Sequence, residues 1–326
     1  MKEDIVIPAW EVASQSSGIK IFNFIPSLLA TIYLSLILLY QVAWTYINIF
    51  NLKDEFFSVI INFVHTSYFG EVVVGFIVFF LLYIVVSPIA EGGVVSLIDA
   101  ECRGADDREK SLNYGLGRGF KYFLPVFEAN NITSLFKLLS IITFTIFLIR
   151  LLGVQYLGFI FTAMGFYFLL AVLINIFLAY TKFFIVLEQK KAFDAIVASS
   201  TMALDNLGIT FKLYLTLILV YVRTLLTVLF FILLPFLISA IFTFITISSI
   251  KFIFLGLLGV IILVFLIFVS HLNSVLEIFV ETLWYRAYMD NKSKAKPHAT
   301  SDHDHHHETE GHGGHDDHGH GHGDHH

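Results

Sequence analysis

About 20 consecutive apolar residues in helical conformation span the roughly 30 Å hydrocarbon core of a bilayer. Six stretches of this 326-residue chain meet that requirement: 24–50, 70–90, 134–153, 156–181, 209–234 and 251–280. Hydrophobic residues make up 57% of the chain, with 35 Phe, against about 45–50% apolar residues in ordinary soluble domains. The expected class is therefore all-α and polytopic, with six transmembrane helices over residues 1–290. The third stretch carries Lys137 and Arg150 inside its ends, where both side chains can snorkel to opposite interfaces. Pro235 and the Ser/Thr residues after it favour one hairpin over 209–280 rather than three shorter spans.

Charge sets the expected orientation. With six spans and the N-terminus inside, sixteen Lys/Arg fall on the cytoplasmic side and only Lys53, Arg150 and Lys251 fall outside. A bias of that size predicts an N-in, C-in protein of the cytoplasmic (inner) membrane. The formal net charge of −6 is misleading, because seven acids lie after His298 and the rest of the chain is close to neutral. The start, Met1 to Pro8, mixes both charge signs and lacks the apolar stretch of a cleaved signal peptide. Cys102 is the only cysteine, so no intramolecular disulfide can form.

The inner connections are the long ones. Residues 91–131 read as one or two helices at or beneath the membrane, broken at Gly115, Gly117 and Gly119 and ended by Pro125. Between 189 and 206, Phe193, Ile196, Val197 and Leu204 recur at helical spacing, an apolar stripe suited to the lipid interface or to a protein partner at these cytoplasmic elbows. The frame N-x-x-x-x-F-K-L occurs at Asn131 to Leu138 and again at Asn206 to Leu213, with a looser echo at Gly18 to Phe22. Three units are expected, each an interfacial elbow helix followed by a transmembrane hairpin.

Ser87-Pro88-Ile89-Ala90-Glu91-Gly92-Gly93, Gly104, and Gly119-Phe120-Lys121-Tyr122-Phe123-Leu124-Pro125 resemble the second-span exit and following elbow of uncharacterised prokaryotic six-span families. Those families are similar to the membrane domain attached to some glycerophosphodiester phosphodiesterases. The resemblance covers about Ile19 to Asp290 and implies an architecture. No phosphodiesterase catalytic domain accompanies it, and the C-terminal tail departs from the pattern.

That tail, residues 291–326, is a different kind of polymer. Twelve of the fourteen histidines lie from His298 onward, interleaved with Asp, Glu and Gly. His303, His305, His306, His307, His312, His315, His318, His320, His322, His325 and His326 form the candidate metal-ligand set. Imidazole with nearby carboxylates suits Zn or Ni, and a glycine-rich polar segment is expected to be disordered without metal. A metal transporter would also need ligands inside the membrane, yet residues 72–87 contain no Asp, Glu or His.

The polar residues within the spans cluster instead in the last one. Ser270, Asn273, Ser274, Glu277 and Glu281 share one helix face, and Arg223 of the fifth span lies at a depth matching Glu277. The expected roles are an interhelical Arg223–Glu277 pair or a polar cavity for an ion or head group. His271 and Asn175, alone on apolar helices, are expected to make interhelical hydrogen bonds. No phosphate-binding loop, H-E-x-x-H or G-x-S-x-G motif is present, and nothing points to nucleic acid. The sequence thus predicts a non-enzymatic, membrane or transport-associated component with a metal-binding tail. The alternatives are a permease-like subunit working with a separate ATPase, and a divalent metal transporter or sensor.

Overall fold

The computed structural model describes residues 5–49, 52–215 and 248–295. Every regular element among them is helical. The helices are α1 (Ile7–Gln15), α2 (Ser17–Ile49), α3 (Lys53–Val64), α4 (Phe69–Cys102), α5 (Leu112–Ser134), α6 (Leu138–Leu152), α7 (Leu157–Leu178), α8 (Thr181–Glu188), α9 (Ala192–Asp205), α10 (207–215) and α11 (Ser248–Ala295). Four stretches are long and apolar enough to cross a membrane: Ser17–Thr45, Phe69–Cys102, Val154–Glu188 and Gly256–Lys294. A fifth arises if α5 and α6, bent by 45° at their junction, count as one broken span. Only 11–17% of the residues in the most apolar windows are buried inside the protein. Apolar helices so little covered by their own chain require an apolar solvent, so this is a multi-pass membrane protein.

Packing is concentrated at one end. At 1.5 Å per residue, the 34 residues of α4 extend about 51 Å, well beyond a bilayer core. Its first half is largely exposed, whereas Ile89 to Ala100 is largely buried against α5 and its neighbours. The main core gathers Val95, Leu97 and Ile98 of α4, Tyr122 and Val126 of α5, Phe183 and Ile185 of α8, Ala195 of α9, and Leu283, Ala287 and Tyr288 of α11. Charged residues cluster at this packed end. At the far end Arg150 of α6 reaches α2, donating to Gln41 Oε1 at 2.7 Å and to Tyr40 Oη at 3.1 Å, with its guanidinium 4.9 Å from the Trp44 ring centroid.

The glycines of α5 do not break it. The helix runs unbroken through Gly115, Gly117, Gly119 and Pro125 to Ser134, contrary to the expected breaks. Two of the glycines are there for close approach instead. A Cβ on Gly119 would collide with the Ile89 carbonyl oxygen of α4, and one on Gly115 would lie 2.8 Å from Leu97 Cδ1. Gly93 of α4 is likewise pressed onto Gly115 O, at 2.7 Å from a built Cβ. Helix α4 also continues through Pro88 to Cys102 rather than ending at Ala90. The real punctuation is Gly104, at φ +65°, with Ser111 capping α5 by accepting from Tyr114 N at 3.3 Å.

Two further expectations are revised. The expected third span, 134–153, is only the 15-residue α6, which reaches about 22 Å and needs α5 to complete a crossing. The two N-x-x-x-x-F-K-L frames also differ in shape. The first straddles the α5–α6 break, while the second is helical from residue 207. Helix α3, with no buried residue, occupies the connection between α2 and α4.

Candidate functional site: a polar seam at the packed end

Helix α2 places Asn23, Ser27 and Thr31 at i, i+4 and i+8, hence on one face. That face meets the polar stripe of α11. Asn23 Nδ2 donates to Glu277 Oε2 at 3.0 Å and to the Ser274 carbonyl at 3.4 Å. Ser27 Oγ donates to Glu277 Oε2 at 3.0 Å, and Asn273 Nδ2 to Thr31 Oγ1 at 3.2 Å. Ser274 Oγ donates to the Lys20 carbonyl at 3.4 Å. Asn23, Ser27, Thr31, Ser270 and Ser274 are all buried, and buried polar groups need such partners to avoid a desolvation penalty. Glu277 is exposed at the margin of the seam, so the stripe is not covered along its whole length.

Two more helices bring charge to the same place. Lys182 of α8 forms an ion pair with Glu281 Oε1, the lysine side chain 26% exposed and the glutamate 13%. Glu91 of α4 accepts from Asn130 Nδ2 of α5 at 2.9 Å. Glu91, Glu277 and Glu281, together with Asn23 and Ser87, line a cavity of about 40 Å³. The second carboxylate oxygen of Glu281 is buried with no hydrogen-bond partner. A polar cavity of this size has room for a few water molecules at about 10–15 Å³ each. It is far below the roughly 300 Å³ at which small-molecule pockets begin.

Below the seam, α8 is fastened to the last turns of α11. Tyr180 packs edge-on to Trp284, Phe183 stacks on Tyr288, and Glu188 accepts from Tyr288 Oη at 2.7 Å and Lys292 Nζ at 2.8 Å. Ser199 of α9 spans the α7–α8 break, donating to the Phe177 carbonyl at 2.6 Å and accepting from Tyr180 N at 3.0 Å. Asn175 of α7 reaches the α5–α6 break, donating to the Phe136 carbonyl at 2.7 Å and to the Ala171 carbonyl of its own helix at 2.8 Å. This fulfils the expectation of an interhelical bond for Asn175. His271 is exposed and makes no hydrogen bond among the described residues.

Of the residues singled out from sequence, Asn273 and Glu277 thus bond to α2, while Ser270 is buried on the same helix and donates to the Leu266 carbonyl of α11 itself. Arg223 and every tail histidine from His298 onward lie outside the described residues. Among the described residues, no group of three or more His, Cys, Asp or Glu could hold a metal ion. The partners missed from sequence, Asn23, Ser27, Thr31, Glu91, Asn130 and Lys182, come from four other helices. Only the i, i+4, i+8 polar run in otherwise apolar α2 was there to be found.

Comparison of the chain with protein-family models, curated proteins and solved structures gave no match.

Proposed function

We propose that this protein is a non-enzymatic, transport-associated component of the cytoplasmic membrane, with a locked polar seam between its helices and a metal-binding cytoplasmic tail. The observation that carries the first part is the seam itself. Its carboxylates are held by Asn23, Ser27, Asn130 and Lys182 around a space fit for water. Side chains so committed fix one helix arrangement, and the cavity they enclose is far below substrate size.

In this reading six spans pair as three hairpins. The four long helices, the bent α5–α6 pair, and the apolar run 209–234 that α10 begins supply them. The packed end faces the cytoplasm, because Lys20, Arg103, Arg118, Lys182, Lys190 and Arg286 gather there, which agrees with the sixteen-to-three distribution of Lys and Arg. The histidines of the tail bind Zn or Ni in that compartment.

Helix α9 favours a second reading as a permease-like subunit driven by a separate ATPase. Its small residues Ala192, Ala195, Ser199 and Ala203 are buried, while Phe193, Val197 and Leu204 are 71%, 67% and 54% exposed. Such a face beneath the spans suits a partner.

Flux separates these readings from a metal transporter. Proteoliposomes containing the purified protein and a zinc-sensitive dye should show no more Zn²⁺ entry than empty vesicles. Entry that disappears in Glu277→Gln would overturn the proposal and make the seam a conduction path.

A further inference from the structure

A second and larger cavity, about 620 Å³, opens on the other side of the last turns of α11. Among the described residues, four cations line it, Arg103 at the end of α4, Lys212 of α10, and Arg286 and Lys294 of α11, with one carboxylate, Asp290. Arg103 and Lys294 are held by acids. Arg103 is paired with Asp99 at 2.8 Å and Glu109 at 3.4 Å, and Lys294 with Asp290 at 2.6 Å.

Arg286 is different. It is half-buried, no carboxylate among the described residues forms an ion pair with it, and its Nε is fully buried without a hydrogen-bond partner. A guanidinium partly removed from water and left without an anion is unfavourable, and its planar fork matches the oxygens of a carboxylate or phosphate. The remaining described lining is Ile5, Ile209, Tyr285, Met289 and the thiol of Cys102, which lies beside Arg286. Lys212 stands in the first turn of the apolar run 209–234, so the cavity lies at the start of that run.

We propose that this cavity binds a phosphate-bearing anion, with Arg286 as its central ligand and Lys212, Arg103 and Lys294 supplying the surrounding positive field. The site is independent of the carboxylate seam. A phosphate group supplies the oxygens that a guanidinium fork accepts, and the volume leaves room for the glycerol or other polar group attached to it. The phosphate comes either from an anionic phospholipid headgroup, reached sideways from the membrane, or from a soluble ion.

The full chain, purified in an uncharged detergent, is titrated with dioleoyl phosphatidylglycerol, with dioleoyl phosphatidylcholine, and with inorganic phosphate. Thermal unfolding and lipid retention in native mass spectrometry are followed. Stabilisation by phosphatidylglycerol alone assigns the site to a lipid headgroup, and stabilisation by phosphate alone assigns it to a soluble anion. In either case Arg286→Gln should weaken binding on the order of tenfold. Because Arg286 is half-buried and its loss could hinder folding, Lys294→Gln, at an exposed side chain, serves as the second variant and should weaken binding severalfold. The inference is overturned if neither anion stabilises the protein, if phosphatidylcholine does so equally, or if both variants bind as the parent does.

Discussion

Replacing Lys182 by Met should be among the most damaging single changes available in the packed end. It would leave the Glu281 carboxylate without the ion-pair partner it has among the described residues, in a cavity it shares with Glu277 and Glu91. Breaking a buried ion pair from one side costs about 3–5 kcal/mol when both groups are fully buried. The lysine side chain is 26% exposed and the glutamate 13%, so partial solvation reduces the expectation to about 2–4 kcal/mol. The sign of the double variant is the sharper point. In Lys182→Met with Glu281→Leu both charges disappear and two apolar groups of similar length face each other, so most of the loss should be recovered, to within about 1 kcal/mol of the parent. Trp284 lies one turn from Glu281 with its ring 5.5 Å from that of Tyr180, which makes its fluorescence a local reporter. Unfolding by increasing SDS fraction in mixed micelles, read by that fluorescence, gives the four stabilities of the cycle. Additive losses in the double variant would refute the pairing, as would a Lys182→Met protein as stable as the parent.

Two other outcomes follow from the packing and the charge distribution. Gly119→Ala places a methyl group against the Ile89 carbonyl, backbone on backbone with no flexible side chain to yield; overpacking of this kind costs about 1–3 kcal/mol. Gly117→Ala, where a Cβ meets nothing within 4 Å, should be neutral or slightly stabilising by helix propensity, and the same SDS titration compares them. On a Cys102→Ser background, a cysteine at position 53 should react with an impermeant maleimide added to intact cells, whereas one at position 108 should react only after permeabilisation. Labelling of position 108 from outside would reverse the orientation.

The apolar run lengths were enough to place α2, α4, α7 and α11, because bilayer thickness converts directly into residue count. Their ends were not legible. Nothing in the hydropathy of Gly92 to Cys102 marks where lipid stops and protein packing starts, so α4 was cut short at Ala90. An isolated glycine costs helix stability, so sequence alone predicts breaks at the glycines of α5. The compensating close approach of α4 is a tertiary fact, visible only once Gly93 and Gly119 are seen pressed on the neighbouring helix. For the seam, the stripe on α11 was legible as a face, since period 3.6 determines which residues of one helix look the same way. Which helix answers that face was not. Asn23 and Ser27 lie about 250 positions from Glu277, and periodicity carries no information on pairing between helices.

The central claim separates a metal-binding tail from a locked, metal-free body, and titration calorimetry with Zn²⁺ tests it most directly. The full chain and a form truncated after Lys296 are compared in the same detergent at pH 7.5 and again below about pH 6, where imidazole near its ordinary pKa is protonated and cannot ligate. The full chain should bind several ions at the higher pH and lose most of that binding at the lower one. The truncated form should keep its helical content and bind few or none. If truncation leaves the number of bound ions unchanged, the sites lie among the helices, and the body is a metal-handling protein rather than a scaffold.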